Sequence, residues 1–471
     1  MKQLFDLLEA ATWGFATIPM LVIFGIVFTL FTRFSQVRFF RRMFAGLKKG
    51  TEAETGISNR KALLLSVGGR VGAGNIAGVS VAITLGGPGA VFWMWALAIV
   101  GMATMLVECS LAQLYKQKMS DGTFRGGPLQ TIIFGLGSEF RWLAAIFALC
   151  MIAAYGVAVL AFQSNSAAAA IEEGLSLSPW IGGLILAGIV GAIILGGIRR
   201  IAVASEVMVP VMAIAYIVMA LLVIVANISA VPAVFLLILE NAFGLREAVG
   251  GGVGAAILHG MQRGLLSNEA GLGSASNVAG AAFAKHPVDQ GITQAFGVFI
   301  DTIVICSCTA FIILLSDVYV PGATEVDGIA LAQRSLATEL GGWTSPVLSF
   351  VITLILLTTI TYAYYMAENG LAFLTGNRIA LHALRIVAIV AVFMGALTPT
   401  VHNVLFFLDP LLGLMAVINL VVISMLFPKA LVLIKDYKAQ LSAGKQQPVF
   451  DAASFADANV DTPAWNAVDR G

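Results

Sequence analysis

The chain has 471 residues, of which 59% are hydrophobic and 11% charged, and its net charge is +1. Its mean hydropathy is +0.92. A water-soluble domain carries about a quarter charged residues, so water is not the main solvent of this protein. The neutral balance, with no basic stripe interleaved with aromatics, excludes nucleic acid as a partner and leaves the lipid bilayer.

Uncharged runs such as Met20–Leu30, Leu143–Phe162, Ile181–Gly197 and Val347–Ala367 approach or exceed what a helix needs to cross a hydrocarbon core of about 30 Å. They do not alternate polar and apolar residues as barrel strands would. The expected fold class is therefore an all-α membrane protein. Apolar runs between charged or Gly/Pro breaks predict about 11 crossings, at 13–32, 60–84, 89–115, 142–171, 180–198, 201–226, 253–284, 290–315, 343–374, 380–397 and 403–427. The first has no basic leader and cleavage site and is read as a retained helix, so 1–59 is an extra N-terminal helix plus a cytoplasmic linker. Within that linker, 38–56 is basic and partly apolar and is expected to lie on the membrane surface. From 436 to 471 the chain is rich in Ala, Asp and Gln and is expected to be a disordered cytoplasmic tail.

Basic residues orient these crossings. Arg33, Arg38, Arg41, Arg42, Lys48, Lys49, Arg60 and Lys61 follow the first, and Lys116, Lys118, Arg125 and Arg141 follow the third. Arg199, Arg200, Lys285, Arg378 and the lysines from 429 to 445 then fall on the same, cytoplasmic side. The other side receives Lys2, Arg246 and Arg334 and is richer in acids, among them Glu172, Glu173, Asp317, Glu325, Asp327 and Glu339. The expected topology is a bacterial-type inner membrane protein with its N-terminus outside and C-terminus inside.

Cys109, Cys150, Cys306 and Cys308 all lie in apolar segments and read as packing residues. The histidines are scattered and form no HExxH pattern, which removes hydrolytic zinc chemistry and, with it, an intramembrane enzyme.

Two predicted crossings share a pattern. Arg70-Val-Gly-Ala-Gly-Asn75-Ile-Ala-Gly78 and Arg263-Gly-Leu-Leu-Ser-Asn268-Glu-Ala-Gly271 both read R-x4-N-x-A-G. Five crossings begin with each copy, in 60–226 and 253–427. Five is odd, so the second copy enters the membrane from the opposite side, giving an inverted-topology repeat. Glycine in a helix interior costs roughly 1 kcal/mol relative to alanine. Gly72, Gly74 and Gly78 around a polar Asn75 therefore predict a broken helix, whose freed N–H groups suit a carboxylate and whose freed carbonyls suit a cation. The alternative is that the small residues only allow close helix packing.

An ionised side chain at mid-membrane costs about 3 kcal/mol on insertion scales, yet Arg70, Glu108, Arg263, Glu269 and Glu368 fall within crossings. They either gate a polar path or brace helices by mutual pairing. Gln163, beside Ser164 and Asn165, is the residue of the fourth crossing expected to face a cavity. Thr358, Thr359 and Thr361 form a hydroxyl cluster in the ninth, which otherwise bonds its own i−4 carbonyls.

From about residue 13 to 430 the chain resembles the alanine or glycine:cation symporter family. The likeness is carried by GRVGAGNIAGVSVAITLGGPGAVFWMW (69–95) with Glu108, by GLLSNEAGLGSA (264–275) and by TTITYAYYMAENG (358–370). More distantly, Val71-Gly72-Ala73-Gly74-Asn75 is similar to the first unwound helix of the bacterial leucine transporter. The resemblance implies a five-plus-five inverted repeat with one extra helix in front. It implies substrate contacts at Gly72, Gly74, Asn75, Gln163, Ser267, Asn268 and Gly271, and a sodium site made of the carbonyls of Gly68 and Val71 with the hydroxyls of Thr358 and Thr359. Arg70, Glu108, Arg263 and Glu269 are left as gating or structural charges. Two departures stand out. Arg70 occupies the place of an alanine whose carbonyl binds a second sodium in the leucine transporter, and YYMAE has one residue more than the family's YYGE, which blurs the register of Thr358 and Thr359.

The implied activity is uptake of a small neutral amino acid with sodium by alternating access, with no covalent chemistry and no cofactor beyond the coupling ion. Glu108, Glu269 and Glu368 keep a proton-coupled carrier open as the alternative. A channel would need a continuous polar pore rather than two broken helices meeting at one site.

Overall fold

The structure is a computed structural model, and it describes residues 10–48, 57–120, 122–245, 252–320, 328–398, 402–453, 455 and 459–466. Lys2, Lys49, Arg246, Glu325 and Asp327, used above for orientation, lie outside the described residues, as does part of the expected tail. Among the described residues the chain is almost wholly helical, with one two-stranded hairpin pairing Gln117–Lys118 with Phe124–Arg125.

Among the described residues eight helices are long and apolar enough to cross a membrane, or up to nine if one bent pair counts as a single span. In chain order the helices that build the site are α1 (Thr12–Phe31), α2 (Asn59–Arg70), α3 (Gly74–Gly86), α4 (Ala90–Leu114), α5 (Ser138–Leu175), α6 (Pro179–Ile194), α7 (Gly197–Ala226), α8 (Gly252–Asn268), α9 (Ser274–Ala281), α10 (Pro287–Leu314), α11 (Thr344–Leu374), α12 (Arg378–Ala396), α13 (His402–Met425) and α14 (Phe427–Ser442). Shorter helices such as Val231–Ala242 and Gly328–Leu340 join them. The sequence reading contained neither of these.

The boundaries follow local chemistry. Gly86-Gly87-Pro88 separates α3 from α4, with Gly87 at a φ of 72°. Proline begins α6 and α10, where the missing N–H is no loss. His286 caps α10 through its Nδ1, which accepts from Val288 N–H.

Packing divides these helices into two groups with the breaks between them. α4 runs along α10 and α8, whereas the C-terminal half of α5 runs along α11 and α12. α2 lies against α7 and α11, and α3 lies against α8. Both broken helices are consequently buried in protein, and non-helical backbone at membrane depth is tolerated when buried so or when it lines a water-filled cavity.

The C-terminal region differs from its expected disorder. Residues 427–442 form α14, and the chain then folds back: Phe450 N–H donates to the carbonyl of Lys285 at 2.9 Å. Trp465 is buried, its ring 3.9 Å from Lys116 Nζ and 4.8 Å from the Phe450 ring. Lys118 N–H donates to the Asp461 carboxylate at 2.8 Å. Two aromatics in a polar stretch supply the apolar area that its composition hides.

Candidate functional site

α2 stops at Arg70 because Val71 turns to an extended conformation (φ −68°, ψ 96°), and α3 leaves the break bent by 53°. The freed donors are taken by side chains. Gly72 N–H donates to Asn75 Oδ1 and Ala73 N–H to Gln163 Oε1, each at 2.9 Å. Asn75 and Gln163 thus occupy the N–H groups that the sequence assigns to a carboxylate. A Cβ on Gly72 would lie 2.7 Å from Thr359 Oγ1 and 3.0 Å from Gln163 Oε1, so only glycine fits without displacing them.

The freed carbonyls of the same break face α11. Thr358 Oγ1 lies 2.8 Å from the Gly68 carbonyl, and Thr359 Oγ1 lies 3.2 Å from Gly68 and 3.1 Å from Val71 carbonyls. Both hydroxyls also reach the Ile355 carbonyl. Two hydroxyl protons therefore serve three carbonyl oxygens, leaving lone pairs in surplus. All four residues that the resemblance implied for sodium are brought together, and the Ile355 carbonyl joins them. Such uncharged, hard oxygen donors suit an alkali cation better than a transition metal. Among the described residues no group of three or more His, Cys, Asp or Glu side chains could hold a metal.

The second break runs from Glu269 to Gly273 and contains three residues at positive φ: Glu269 (54°), Gly271 (89°) and Gly273 (87°). For Glu269 this conformation is strained. It is held by three hydroxyls, since Tyr155 donates to Oε1 at 3.0 Å while Tyr362 (3.2 Å) and Ser274 donate to Oε2. Asn268 Oδ1 accepts from Ala270 N–H, Glu108 Oε2 accepts from Gly271 N–H at 2.9 Å, and Asn419 donates to the Gly271 carbonyl.

Between the breaks sits Asp301 of α10, fully buried. It accepts from Asn75 Nδ2, from Ser267 Oγ at 3.1 Å and from Thr302 Oγ1 at 3.2 Å. Asn75 also donates to Ser267 Oγ, so one carboxylate ties both broken helices to α10. The sequence reading passed over Asp301. A lone acid inside the run Phe299–Cys306 was signal enough, because intramembrane acids are rarely idle.

A cavity of about 20 Å³, room for a water molecule, lies at the first break between Gly74, Gln163, Leu266, Glu269 and Thr359. Of the substrate residues implied by the resemblance, Gly74 and Gln163 line it and Gly72 touches Gln163. Asn75 and Ser267 are engaged with Asp301, whereas Asn268 and Gly271 face α4 and α13 and do not reach the cavity. Arg70 borders it but directs its guanidinium to Ser66 and Gln294. Arg263 pairs with Asp409 at 3.8 Å. Glu368 lies apart, in a pocket with Arg125, Tyr365 and Asn369.

Phe162 and Leu266 line both the small cavity and a vestibule of about 640 Å³ that extends past Asn165 and Glu172 to Pro179 and Thr398. Phe162 and Leu266 are the side chains that the vestibule and the site share.

Broken helices around a buried polar site, within a bundle that crosses the bilayer many times, define a membrane transporter. In fold the chain is similar to the manganese transporter of Eremococcus coleocola in complex with an aromatic bis-isothiourea substituted compound. The TM-score is 0.51 with 13% identity, covering 87% of this chain and 83% of that one. Residues 1–452 match the sodium:alanine symporter family, and the chain belongs to that family. It is 42% identical to the probable sodium/glutamine symporter GlnT of Bacillus subtilis (strain 168), over 93% of this chain and 91% of that one. It is 40% identical, over 96% of each, to the putative sodium/proton-dependent alanine carrier protein YrbD of the same organism. The protein is therefore a multi-pass membrane carrier that couples amino-acid transport to a cation, and not an enzyme.

Proposed function

We propose that this carrier takes up a small neutral amino acid of the alanine or glycine class together with sodium. The observation that carries the reading is the oxygen cage at the first break, where Gly68, Val71, Thr358 and Thr359 converge. Sodium seated there joins α2 to α11 and holds the break in the shape that receives substrate. The carboxylate of the amino acid displaces Gln163 from Ala73 N–H, and its small side chain lies toward Phe162 and Leu266. A larger side chain would have to widen a cavity of about 20 Å³.

The vestibule ends on the side that the basic loops mark as extracellular, with the N-terminus outside and the C-terminus in the cytoplasm. Opening of Phe162 and Leu266 admits substrate from there. Residues 60–226 and 253–427 act as the two inverted halves, one rocking against the other. One sodium moving through ~150 mV down a tenfold gradient releases about 5 kcal/mol, enough for roughly thousandfold accumulation of a zwitterion.

The test is alanine uptake into proteoliposomes at fixed pH with sodium varied. Uptake is expected to require sodium. Thr358→Ala/Thr359→Ala is expected to raise the half-saturating sodium concentration about tenfold or more, with a smaller effect on alanine affinity at saturating sodium. Unchanged sodium dependence in that double variant would place the ion elsewhere.

A further inference from the structure

The deep interior holds an unbalanced set of charges. Among the described residues of the membrane-spanning helices and their breaks, Arg70 and Arg263 are the cations and Glu108, Glu269, Asp301 and Asp409 the acids, all at most 9% exposed, while Lys116, also buried, lies beyond the end of α4 against Trp465. With every group ionised the sum is 2 − 4 = −2. Arg263 and Asp409 neutralise each other, which leaves Arg70 facing three carboxyl groups, and Arg70 itself forms no ion pair among the described residues. A sodium ion on the neutral oxygens of the first break offsets one negative charge. One remains, in a region where water cannot solvate it.

Hydrogen bonding distinguishes the three acids. Glu269 is solvated as an anion by Tyr155, Tyr362 and Ser274, with both oxygens accepting. Asp301 is likewise solvated on both oxygens by Asn75, Ser267 and Thr302. Glu108 differs. Its Oε2 accepts from Gly271 N–H, but its Oε1 is fully buried and receives no hydrogen bond. A bare carboxylate oxygen is the least tolerable place for charge in this interior. A proton on Oε1 removes that charge while Oε2 continues to accept from Gly271, and the side chains of Ser276 and Asn419 lie beside the carboxyl group.

We propose that Glu108 is a proton-binding site that is occupied in this closed conformation. The proposal rests on the sodium reading for its charge count and on the bare oxygen for its location. The site is coupled to the second break through one bond. Loss of the proton strengthens the hold of Glu108 on Gly271 N–H, in the segment that must flex for the halves to rock. The charged and titratable groups beside Glu108 are Arg70 from α2 and Cys109 from its own helix; the other elements packed against α4 carry Arg263 and Glu269 on α8 and its break, Asp301 on α10 and Asp409 on α13, and Lys116 lies beyond the end of α4. α1 presents none, and α14 brings Lys429 near the inner end of α4.

The test is infrared spectroscopy of the purified, sodium- and alanine-loaded carrier at neutral pH. A protonated-carboxyl C=O band that shifts in deuterium oxide is expected in the wild type, lost in Glu108→Gln and retained in Asp301→Asn and Glu269→Gln. No such band in the wild type, or a band that survives Glu108→Gln, overturns the proposal. Should Glu108→Gln fail to fold, Glu108→Asp must move the band and Asp301→Glu must not. Uptake is expected to fall severalfold as alkaline pH removes the proton, and Glu108→Gln should flatten that limb relative to its own maximum; an unchanged limb counts against the site. Thr358→Ala/Thr359→Ala keeps the band if Glu108 holds the proton. That variant's sodium dependence separately decides the sodium reading.

Discussion

The two broken helices share a sequence pattern but hold their breaks open in opposite ways. At the first, the freed N–H groups are met by the neutral side chains of Asn75 and Gln163, and the freed carbonyls by threonine hydroxyls. A ligand of matching polarity can replace each of these at little loss. At the second, the freed groups are met by Glu108 and Asn419, and Glu269 is itself pinned by two tyrosines and a serine. The charge-assisted bonds that hold Glu269 in this dry interior are harder to exchange. The first break is built to receive ligands and the second to bear load.

Substitutions at each break should therefore fail differently. The largest effect is expected from Gly72→Val, whose side chain would fill the space of Thr359 Oγ1 and Gln163. Alanine binding by the purified protein should be lost by calorimetry while the protein still inserts and elutes as a single species; near-normal affinity would sink the assignment. Gly74→Val is the milder companion, since its Cβ has 3.3 Å to the Leu266 carbonyl.

Gly271→Ala tests the other side of the comparison. The new methyl group would meet Leu420 at 2.9 Å in a backbone conformation that disfavours a side chain. The expected result is a loss of about 2 kcal/mol of stability, read as a lower unfolding midpoint, with alanine affinity changed only a fewfold. A collapse of affinity with unaltered stability would show that the second break receives ligand too.

The smallest effect concerns the face where the hairpin and the tail meet, away from both breaks. Burial holds His286 down at about 4, against the upward pull of its Asp436 partner. Burial likewise lowers Lys116, beneath Trp465, to about 7. Each group is depressed in the docked state, so the undocked state binds more protons, and docking strengthens as pH rises through each window. For His286 the window runs from about 6.5 down to about 4 and is worth at most about 3 kcal/mol. Limited proteolysis of the tail should accelerate as pH falls through it. Trp465→Ala should be cleaved readily at every pH.

The readable parts of this molecule are those where chemistry leaves a letter. Gly72, Gly74 and Asn75 announce the first break, and Thr358 and Thr359 announce hydroxyls opposite it. The Ile355 carbonyl leaves no letter, because any residue supplies one. Asn268 and Gly271 stand apart from the cavity for a different reason. Asn75 follows its break, whereas Asn268 precedes its own, so the repeated pattern turns the second copy toward α4 rather than the cavity. Both asparagines still accept a freed backbone N–H, which is the physical task the pattern encodes. Asp301 was legible as a lone acid, but its partners come from two distant helices and no local pattern joins them. The tail was hidden by averaging, since Phe450 and Trp465 vanish in a composition dominated by Ala and Asp.

The seating of Trp465 on Lys116 also has a consequence for assembly. The hairpin that receives it emerges early in synthesis, and every crossing from α5 to α13 must be threaded before the tail can return to it. The entropy of closing a flexible loop grows only slowly with its length, and here the intervening helices have by then set the distance. A chain with a helix left outside the bilayer would present its tail to the wrong face, with Trp465 and Phe450 uncovered. Docking of Trp465 on Lys116 thus reports that the helices between them have been laid down in order.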